Sequence, residues 1–367
     1  MATERVTVLG AGNTGLSLAA NLALVGHQVM LWEHPAHAPA IEPIRETSTI
    51  RLEGSARTGT ARLAGVTVDA AEAMEWSPTV LISVPAYAHR PFLEELTRHV
   101  RPDQVIVLLP GNLGSFVFDQ AIRDAGIEGV TIAEADTAPY VCRRTGPTGA
   151  VIWGEVPHLG IGVVPAAATD ETVDALRTFF PGATAYPSAL AAGLSALNPI
   201  VHPPGVLLNA GRIERSRGEF WFYDEGVTPA VVAAIEALDR ERQALGAAFG
   251  IDLTPVAEGF HRAGFGPAGD LWAVINGSRM LTALRAPGAI ATRWLTEDVP
   301  YGLATWAALA AQVGVPTPVM DAIVTLASAV LGEDCRGMGR TPGDLGFGGL
   351  TASEIAQWVL GNGGEGS

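Results

Sequence analysis

The sequence predicts an α/β domain built on a doubly wound parallel sheet, followed by an all-α domain. In the first half, short β-branched runs alternate with helical stretches, whereas long segments of the second half carry apolar residues at helical spacing. The length of 367 residues also exceeds what one ordinary core organises. We therefore expect a first domain over residues 1–186 and a second over residues 187–367.

The predicted strands of the first domain are short, apolar and separated by helical stretches. They cover Val6–Leu9, Gln28–Trp32, Thr79–Ser83, Val105–Leu109 and Val130–Ile132, with smaller runs at Val66–Val68 and Ile161–Val164. Strands that alternate with helices pair in parallel through right-handed crossovers. The second domain instead contains helical patterns over Pro229–Phe249, Leu303–Val313 and Val319–Leu331.

Composition excludes several classes of function. The net charge of −15 comes without the clustered cations that bind phosphates, so we expect no nucleic-acid partner. A long uncharged run between Asp298 and Asp321 is interrupted by prolines, so we expect no membrane segment. The two cysteines, Cys142 and Cys335, form neither a disulfide framework nor a zinc motif. With no leader sequence apparent, we expect a cytoplasmic protein without a metal site.

The 23 residues counted as lysine plus arginine are all arginines. A chain without lysine cannot form a Schiff base through a side-chain amine or use an ammonium group as proton donor. Reductases in which a lysine serves as acid or substrate anchor are therefore disfavoured.

A glycine-rich turn follows the first predicted strand and opens the first helix. Gly10 permits the tight turn, Gly12 lets the backbone approach a pyrophosphate, and Gly15 lets helix and strand pack closely. This GxGxxG pattern stands in the strand-turn-helix context that dinucleotide binding requires. The sequence thus predicts a Rossmann-type domain that binds its cofactor through Gly10, Gly12, Asn13, Thr14 and Gly15.

Glu33 follows the second predicted strand, where a carboxylate accepts the ribose hydroxyls of NAD and repels the 2′-phosphate of NADP. We therefore expect NAD rather than NADP. The loops after the strands Thr79–Ser83 and Val105–Leu109 lie at carboxyl ends of parallel strands, where such sheets bind ligands. The residues expected to line the nicotinamide half are Pro85, Ala86, Gly111 and Asn112.

His202 lies in a stretch from residue 178 to residue 211 that contains no Asp, Glu, Lys or Arg. A histidine on a buried face is usually a hydrogen-bonded core residue, but it is also the side chain that exchanges protons near neutral pH. Far downstream, Arg293 precedes two adjacent carboxylates, Glu297 and Asp298. A carboxylate orients an imidazole, and an arginine fork binds a substrate carboxylate. Spacing leaves open whether Glu297 or Asp298 is the partner of His202.

These motifs resemble the octopine/nopaline type of opine dehydrogenases along nearly the whole chain. The resemblance is carried by Gly10–Gly15, Trp32–Glu33, Val84–Ala86, Cys142–Arg143, Asn198–Pro203, Leu207–Ala210 with Arg212, Glu225–Pro229, Thr292–Arg293 with Glu297–Val299, Gly339–Thr341 and Gly349–Thr351. Many dehydrogenases share the glycine pattern, whereas the segments around His202 and Arg293 are far more specific. The chain departs from the family pattern at Pro199, Pro203–Pro204 and Trp294–Thr296. Because these positions border the expected pocket, the identity of the substrate is the family property that the resemblance predicts least well for this chain.

The resemblance implies an NAD-binding domain followed by a helical substrate domain that forms a homodimer. It implies that His202 is the acid/base, that Asp298 rather than Glu297 is its partner, and that Arg293, Asn198 and Arg143 bind substrate. The implied reaction is NADH-dependent reductive condensation of an amino acid or amine with a 2-oxo acid such as pyruvate, through an imine.

Two alternatives remain at this point. One is another 2-oxo acid or imine reductase of the same architecture. The other is a non-catalytic NAD-binding sensor, which would have no use for His202, Arg293 and Asp298 together. NADH oxidation that requires both an amine and an oxo acid would separate the condensing enzyme from both.

Overall fold

The apolar runs at the start of the chain form the central sheet of the first unit. The computed structural model describes residues 3–361 and divides into two units between Gly193 and Leu194. The predicted boundary after residue 186 falls a few residues before this division. The strands are β1 Arg5–Leu9, β2 Gln28–Trp32, β3 Thr49–Gly54, β4 Gly59–Arg62, β5 Gly65–Thr67, β6 Thr79–Ile82, β7 Val105–Leu108, β8 Thr131–Ala135, β9 Tyr140–Gly146, β10 Gly149–Glu155, β11 Leu159–Val164 and β12 Ala183–Ala185.

Eight of these strands form one sheet in the order β12-β11-β8-β7-β6-β1-β2-β5. Every pair from β5 to β8 along this order is parallel, and β11 joins antiparallel to β8. Its central part, β5-β2-β1-β6-β7-β8, has the strand order of doubly wound dinucleotide-binding sheets. Leu81 packs into the core on one face, while Val80 and Ile82 pack into the core on the other. Burial on both faces of the sheet explains why the sequences of these strands are continuous apolar runs.

The helices of the first unit connect these strands, as the doubly wound pattern predicts. They are α1 Asn13–Val25, α2 Glu42–Thr47, α3 Ala70–Trp76, α4 His89–Leu96, α5 Gly114–Asp124, α6 Thr169–Leu176 and, across the division, α7 Ala189–Leu194. Gly26 ends α1 in the left-handed conformation that a side chain disfavours, with φ +110°.

A second sheet, in the order β4-β3-β10-β9, was not predicted from the sequence. β3 pairs with β4 and β9 with β10 as antiparallel neighbours, and β3 lies parallel to β10, with Arg51 opposite Gly149. Buried and exposed residues alternate along β3, so its apolar signal is weaker than that of a strand buried on both faces. The sheet packs on α1, which therefore has β-structure on two sides.

The second unit is helical, which confirms the predicted all-α domain. Its helices are α8 Asn198–Leu207, α9 Ala210–Ser216, α10 Pro229–Ala248, α11 Val256–Arg262, α12 Leu271–Asn276, α13 Arg279–Thr282, α14 Arg293–Thr296, α15 Thr305–Val313, α16 Pro318–Leu331, α17 Cys335–Met338 and α18 Ala352–Val359. Two π-helical turns, Phe222–Gly226 and Asp298–Ala304, interrupt the regular helices. Within residues 3–361, none of the helices combines the length and apolar character needed to cross a bilayer.

Two neighbouring charges on α10 organise the core of the second unit. Arg242 is fully buried and donates to Asp239 at 2.8 Å, to the Leu194 carbonyl oxygen at 2.9 Å and to the Thr254 carbonyl oxygen at 2.6 Å. The carboxylate of Glu241 accepts two backbone N–H groups in the first turn of α16. These buried charges are all paired or hydrogen-bonded, so burying them leaves no charge without a partner. Their bonds to backbone groups also satisfy the ends of several helices.

Candidate active site

The glycine-rich turn between β1 and α1 has the shape of a dinucleotide cradle. Gly10 has φ +95°, and a Cβ atom there would lie 2.8 Å from the Ser83 carbonyl oxygen. A Cβ atom at Gly15 would lie 1.9 Å from the Gly10 carbonyl oxygen, so only glycine lets α1 approach β1 this closely. A Cβ atom at Gly12 would meet nothing within 4 Å, and its backbone is open to a ligand. The turn therefore fits a pyrophosphate at the N-terminus of α1.

Glu33 is a buried carboxylate at the end of β2. Its Oε2 atom accepts the backbone N–H of Ala11 at 2.7 Å, and its Oε1 atom accepts that of His34 at 2.8 Å. The first bond holds the carboxylate beside the glycine-rich turn, the position at which dinucleotide-binding folds contact the ribose hydroxyls. Each oxygen retains a second lone pair with which to accept a hydroxyl.

Strand β9 lies against the N-terminus of α1. Asn13 Oδ1 accepts the backbone N–H of Arg144 at 3.0 Å. The Cys142 sulfur lies 3.5 Å from the Asn13 carbonyl oxygen and 3.9 Å from the Thr14 hydroxyl oxygen. Arg143, one of the predicted substrate-binding residues, is exposed between Cys142 and Arg144. The strand thus supports two predicted cofactor residues, Asn13 and Thr14, through the neighbours of Arg143 along the chain.

The turn after β7 is held by a buried carboxylate. Asn112 and Leu113 both adopt the left-handed conformation, with φ 50° and φ 62°. Glu134 on β8 is fully buried and accepts the backbone N–H groups of Leu113 and Ser115, each at 3.0 Å. A Cβ atom at Gly111 would lie 2.2 Å from the Glu134 Cβ atom, so the close approach of the turn requires glycine. Glu134 therefore organises the turn that contains Gly111 and Asn112.

Sequence reasoning did not identify Glu134. The sequence feature that could have revealed Glu134 is the presence of a carboxylate inside an otherwise apolar strand. A charge in the core of a sheet needs hydrogen-bonding partners, so such a residue indicates a polar contact nearby. Pro85 and Ala86, also predicted to line the nicotinamide half, directly follow β6 at the same carboxyl edge of the sheet.

In the second unit, an imidazole and a carboxylate form a close pair. His202 lies on α8, and Asp298 is the first residue of the π-helical turn Asp298–Ala304. The His202 Nδ1 atom lies 2.8 Å from the Asp298 Oδ2 atom, and the side chains are 12% and 10% exposed. His202 Nε2 makes no hydrogen bond to another residue described by the structure. The pair therefore leaves Nε2 to exchange a proton with a ligand.

Arg293 pairs with the other candidate carboxylate. Its Nε atom donates to the Glu297 Oε2 atom at 2.5 Å, one helical turn along the chain. Glu297 is almost fully buried, whereas half of the Arg293 side chain is exposed. The bond orients a guanidinium whose outer part reaches solvent. Asn198, which is also predicted to bind substrate, is exposed at the first position of α8, one turn before His202.

Three aromatic side chains, Trp294, Phe222 and Tyr223, lie near the pair. The Trp294 ring stacks on the His202 ring with centroids 4.4 Å apart and planes 9° apart, and Phe222 meets Trp294 at 4.6 Å and 60°. Burial raises the pKa of the Tyr223 phenol above its ordinary value, and the charge of Asp298 acts in the same direction. Tyr223 therefore remains a neutral phenol at physiological pH.

Close packing around α8 sets the position of both partners. A Cβ atom at Gly205 would lie 2.5 Å from the Phe222 ring, and one at Gly302 would lie 2.6 Å from the Pro199 ring. Glycine at these two places lets both π-helical turns pack closely against α8. Such turns are frequent at functional sites because they redirect side chains out of the regular helical repeat.

The predicted site residues thus fall into two groups, one in each unit. The first unit brings together the glycine-rich turn, Glu33 and the loops after β6 and β7. The second brings together His202 and Asp298, with Arg293 on the neighbouring helix α14, and it adds Trp294, which was not predicted as a site residue. The first group fits a dinucleotide, and the second contains an imidazole nitrogen that can exchange a proton and, on α14, a guanidinium.

Comparison with known proteins matches both units. Residues 185–331 match the family of the α-helical domain of NAD/NADP octopine/nopaline dehydrogenase, and residues 5–111 match the N-terminus of NAD-dependent glycerol-3-phosphate dehydrogenase. An opine dehydrogenase of Arthrobacter sp. (strain 1C) is 33% identical over 359 residues, covering 97% of this chain and 99% of that protein. A vitopine synthase of Allorhizobium ampelinum is 27% identical, covering 98% of this chain and all of that protein.

Solved structures show the same fold. An octopine dehydrogenase described with NADH and L-arginine superposes with a TM-score of 0.78 at 20% identity, over 98% of both chains. A yersinopine dehydrogenase described with NADP⁺ superposes with a TM-score of 0.74 at 17% identity, again over 98% of both chains. The match to the Arthrobacter enzyme over nearly the full length of both proteins shows that this chain belongs to the opine dehydrogenase family, which consists of nicotinamide-dependent oxidoreductases acting on CH–NH groups.

Proposed function

We propose that this enzyme condenses an amino acid or amine with a 2-oxo acid such as pyruvate, through an imine that is reduced at the expense of NADH. The observation that carries the proposal is the 2.8 Å contact between His202 and Asp298, with Arg293 in the adjoining helix α14. Reduction of an imine requires a proton for the nitrogen, and a 2-oxo acid requires a cation for its carboxylate.

The residues of the second unit have complementary roles in this reaction. Asp298 holds the Nδ1–H of His202, which selects the tautomer and stabilises the protonated ring. Nε2 then donates a proton to the carbinolamine oxygen as water leaves, takes up the proton that the nitrogen loses as the imine forms, and returns it to that nitrogen during reduction. Arg293 binds the oxo acid carboxylate through its guanidinium, which Glu297 orients at Nε, and Asn198 adds an amide at the start of α8. We also propose Arg143 as a substrate-binding residue.

The first unit holds the cofactor in this proposal. Bound there, NADH supplies the hydride that reduces the imine carbon. The residues that hold it are Gly10, Gly12, Asn13, Thr14, Gly15, Glu33, Pro85, Ala86, Gly111 and Asn112. The buried carboxylate of Glu33 accepts ribose hydroxyls but repels a 2′-phosphate, which favours NAD over NADP.

Structures of related proteins were described with the same classes of substrate. Octopine dehydrogenase structures are described with NADH and L-arginine, with NADH and agmatine, and with NADH and pyruvate. Both an amino acid and its decarboxylated amine are thus represented on that protein. For this chain we propose the same classes of substrate, an amino acid or amine and a 2-oxo acid, but not the individual compounds.

The decisive experiment measures NADH oxidation with a panel of amines and 2-oxo acids, singly and in pairs. The proposal predicts oxidation only when both are present, with a secondary amine dicarboxylate as the product by mass spectrometry when the amine is an amino acid. Oxidation with an oxo acid alone would instead indicate a hydroxy-acid dehydrogenase. Binding of NADH without turnover of any pair would indicate a sensor.

We further propose that the enzyme is a cytoplasmic homodimer. Leu326 and Val330, one turn apart on α16, are 54% and 46% exposed and belong to a surface that a second copy would cover. Light scattering should give twice the chain mass, and Leu326→Glu should shift the mass to that of a monomer. Cys142 and Cys335 are both present as thiols, as is usual for proteins of a reducing compartment.

A further inference from the structure

We propose that Trp294 is a positioning residue for proton transfer: its indole holds the His202 imidazole in the plane from which Nε2 faces the substrate. This inference rests on the proposed function. Trp294 belongs to the segment in which the chain departs from the family pattern, so no matching motif assigns it a role.

A hydrogen bond at Nδ1 alone leaves the imidazole one free motion. Asp298 fixes the position of one ring atom, but the ring can still tilt about that contact and swing Nε2 away. A parallel ring at a centroid distance of 4.4 Å and an angle of 9° opposes this tilt, because tilting would separate the two faces or press them together. Asp298 and Trp294 together therefore define both the position and the plane of His202.

Trp294 can act as a support because it is itself anchored. Phe222, which is fully buried, meets the indole at 4.6 Å and 60°, and its ring packs against Gly205 on α8. The next residue after Trp294, Leu295, is also fully buried. The stack thus continues from the partly exposed Trp294 ring into the core of the second unit.

Proton donation through Nε2 requires that the imidazole ring be correctly aimed at the substrate. Removal of the indole should therefore slow proton transfer without changing how the oxo acid is held by Arg293.

The test compares Trp294→Leu with Trp294→Phe, which retains an aromatic face. Trp294→Leu should lower kcat by about 10- to 100-fold, whereas Trp294→Phe should lose less than about fivefold. The KM for the oxo acid should change by less than about threefold in both. The solvent deuterium isotope effect on kcat should rise in Trp294→Leu, because proton transfer becomes slower than the other steps. Partial unfolding would not produce that rise, since the remaining folded enzyme would keep the wild-type isotope effect.

The matched control is Trp272→Leu, on α12, because Trp272 is a partly exposed tryptophan of the same unit. It should leave kcat and the isotope effect unchanged. Equal losses in Trp294→Leu and Trp294→Phe with an unchanged isotope effect, or a rise in the oxo acid KM alone, would overturn the positioning role.

A second measurement does not depend on turnover. In histidine-labelled protein, the ring protons of His202, assigned with His202→Ala, should resonate upfield because of the indole ring current and move downfield in Trp294→Leu. Signals that stay in place would refute the stack. If the wild-type enzyme oxidises NADH with no pair of substrates while these signals do move, the proposed function fails and the positioning of His202 by Trp294 stands.

Discussion

The Nδ1 atom of His202 lies 2.8 Å from the Oδ2 atom of Asp298. The two residues come from different elements, and the close approach of Gly302 to Pro199 of α8 brings these elements together. The neighbouring carboxylate of Glu297 is turned to Arg293 instead. One adjacent pair of acidic residues thus binds an imidazole through Asp298 and a guanidinium through Glu297.

Replacing Asp298 with Asn should lower kcat by about a hundredfold to ten-thousandfold, because the neutral amide neither stabilises the protonated ring nor selects its tautomer. Steady-state kinetics with saturating substrates measures this loss. NADH affinity, measured by fluorescence titration, should stay within about twofold. Glu297→Gln is the matched control, and an equal loss of kcat in that variant would refute the assignment of Asp298.

Arg293→Lys should raise the KM for the oxo acid by about tenfold or more, because a point charge cannot reproduce the bidentate fork. Glu297→Gln should raise the same KM by a smaller factor, since it weakens the bond that orients the guanidinium. The measurement is an oxo acid titration at fixed amine and NADH. A KM unchanged from the wild type in Arg293→Lys would exclude the contact.

Changing Glu33 to Gln should weaken the preference for NADH over NADPH. The amide cannot repel the 2′-phosphate, and it replaces one of the two acceptors that hold Ala11 and His34 with a donor. Comparison of kcat/KM for the two cofactors should show the NADH value falling and the NADPH value rising. Parallel changes in both values would indicate a purely structural role for Glu33.

In Glu134→Gln, one of the two backbone N–H groups that Glu134 accepts should lose its partner. The free energy of unfolding should fall by about 1–3 kcal/mol, measured with denaturant. The affinity for NADH should fall as well, because the turn with Gly111 and Asn112 loses its support. The exposed Glu128→Gln serves as control and should change stability by less than about 0.5 kcal/mol. Wild-type stability and affinity in Glu134→Gln would contradict the role of this carboxylate.

Asp136 should make stability depend on pH. Burial raises its pKa from 3.8 to about 7, opposed by hydrogen bonds from the Tyr186 hydroxyl and the Gly160 N–H. Because the folded state binds this proton more tightly than the unfolded state, the contribution of Asp136 is fully present below about pH 4 and is lost as pH rises to about 7.

Asp136→Asn, which cannot ionise, should therefore remove part of the decline in the free energy of unfolding between pH 5 and pH 8, by about 1 kcal/mol or more. Denaturant unfolding at the two pH values measures the difference. Asp124→Asn, at an exposed position, should retain the wild-type decline. An identical decline in Asp136→Asn and the wild type would show that other groups are responsible.

Local sequence determined much of the fold. The apolar runs predicted the central sheet because its strands are buried on both faces, and Pro229 and Pro318 occupy the first positions of their helices. The glycine-rich turn and Glu33 could be identified because their spacing within one strand-turn-helix unit is local. The second sheet could not be identified in this way, because β3 is short, alternates between buried and exposed positions, and pairs with β10, which lies far along the chain.

The arrangement around His202 was decided by tertiary structure. Residue spacing left Glu297 and Asp298 equivalent as partners of His202, and a family resemblance, rather than spacing, favoured Asp298. The stacking of Trp294 on His202 has no local pattern that would reveal it. The apolar strand around Glu134 indicates that this carboxylate needs partners, but not that the partners lie in the Leu113 turn. The periodicity of a sequence encodes which face of an element is buried, but which side chains meet depends on how elements from distant parts of the chain pack.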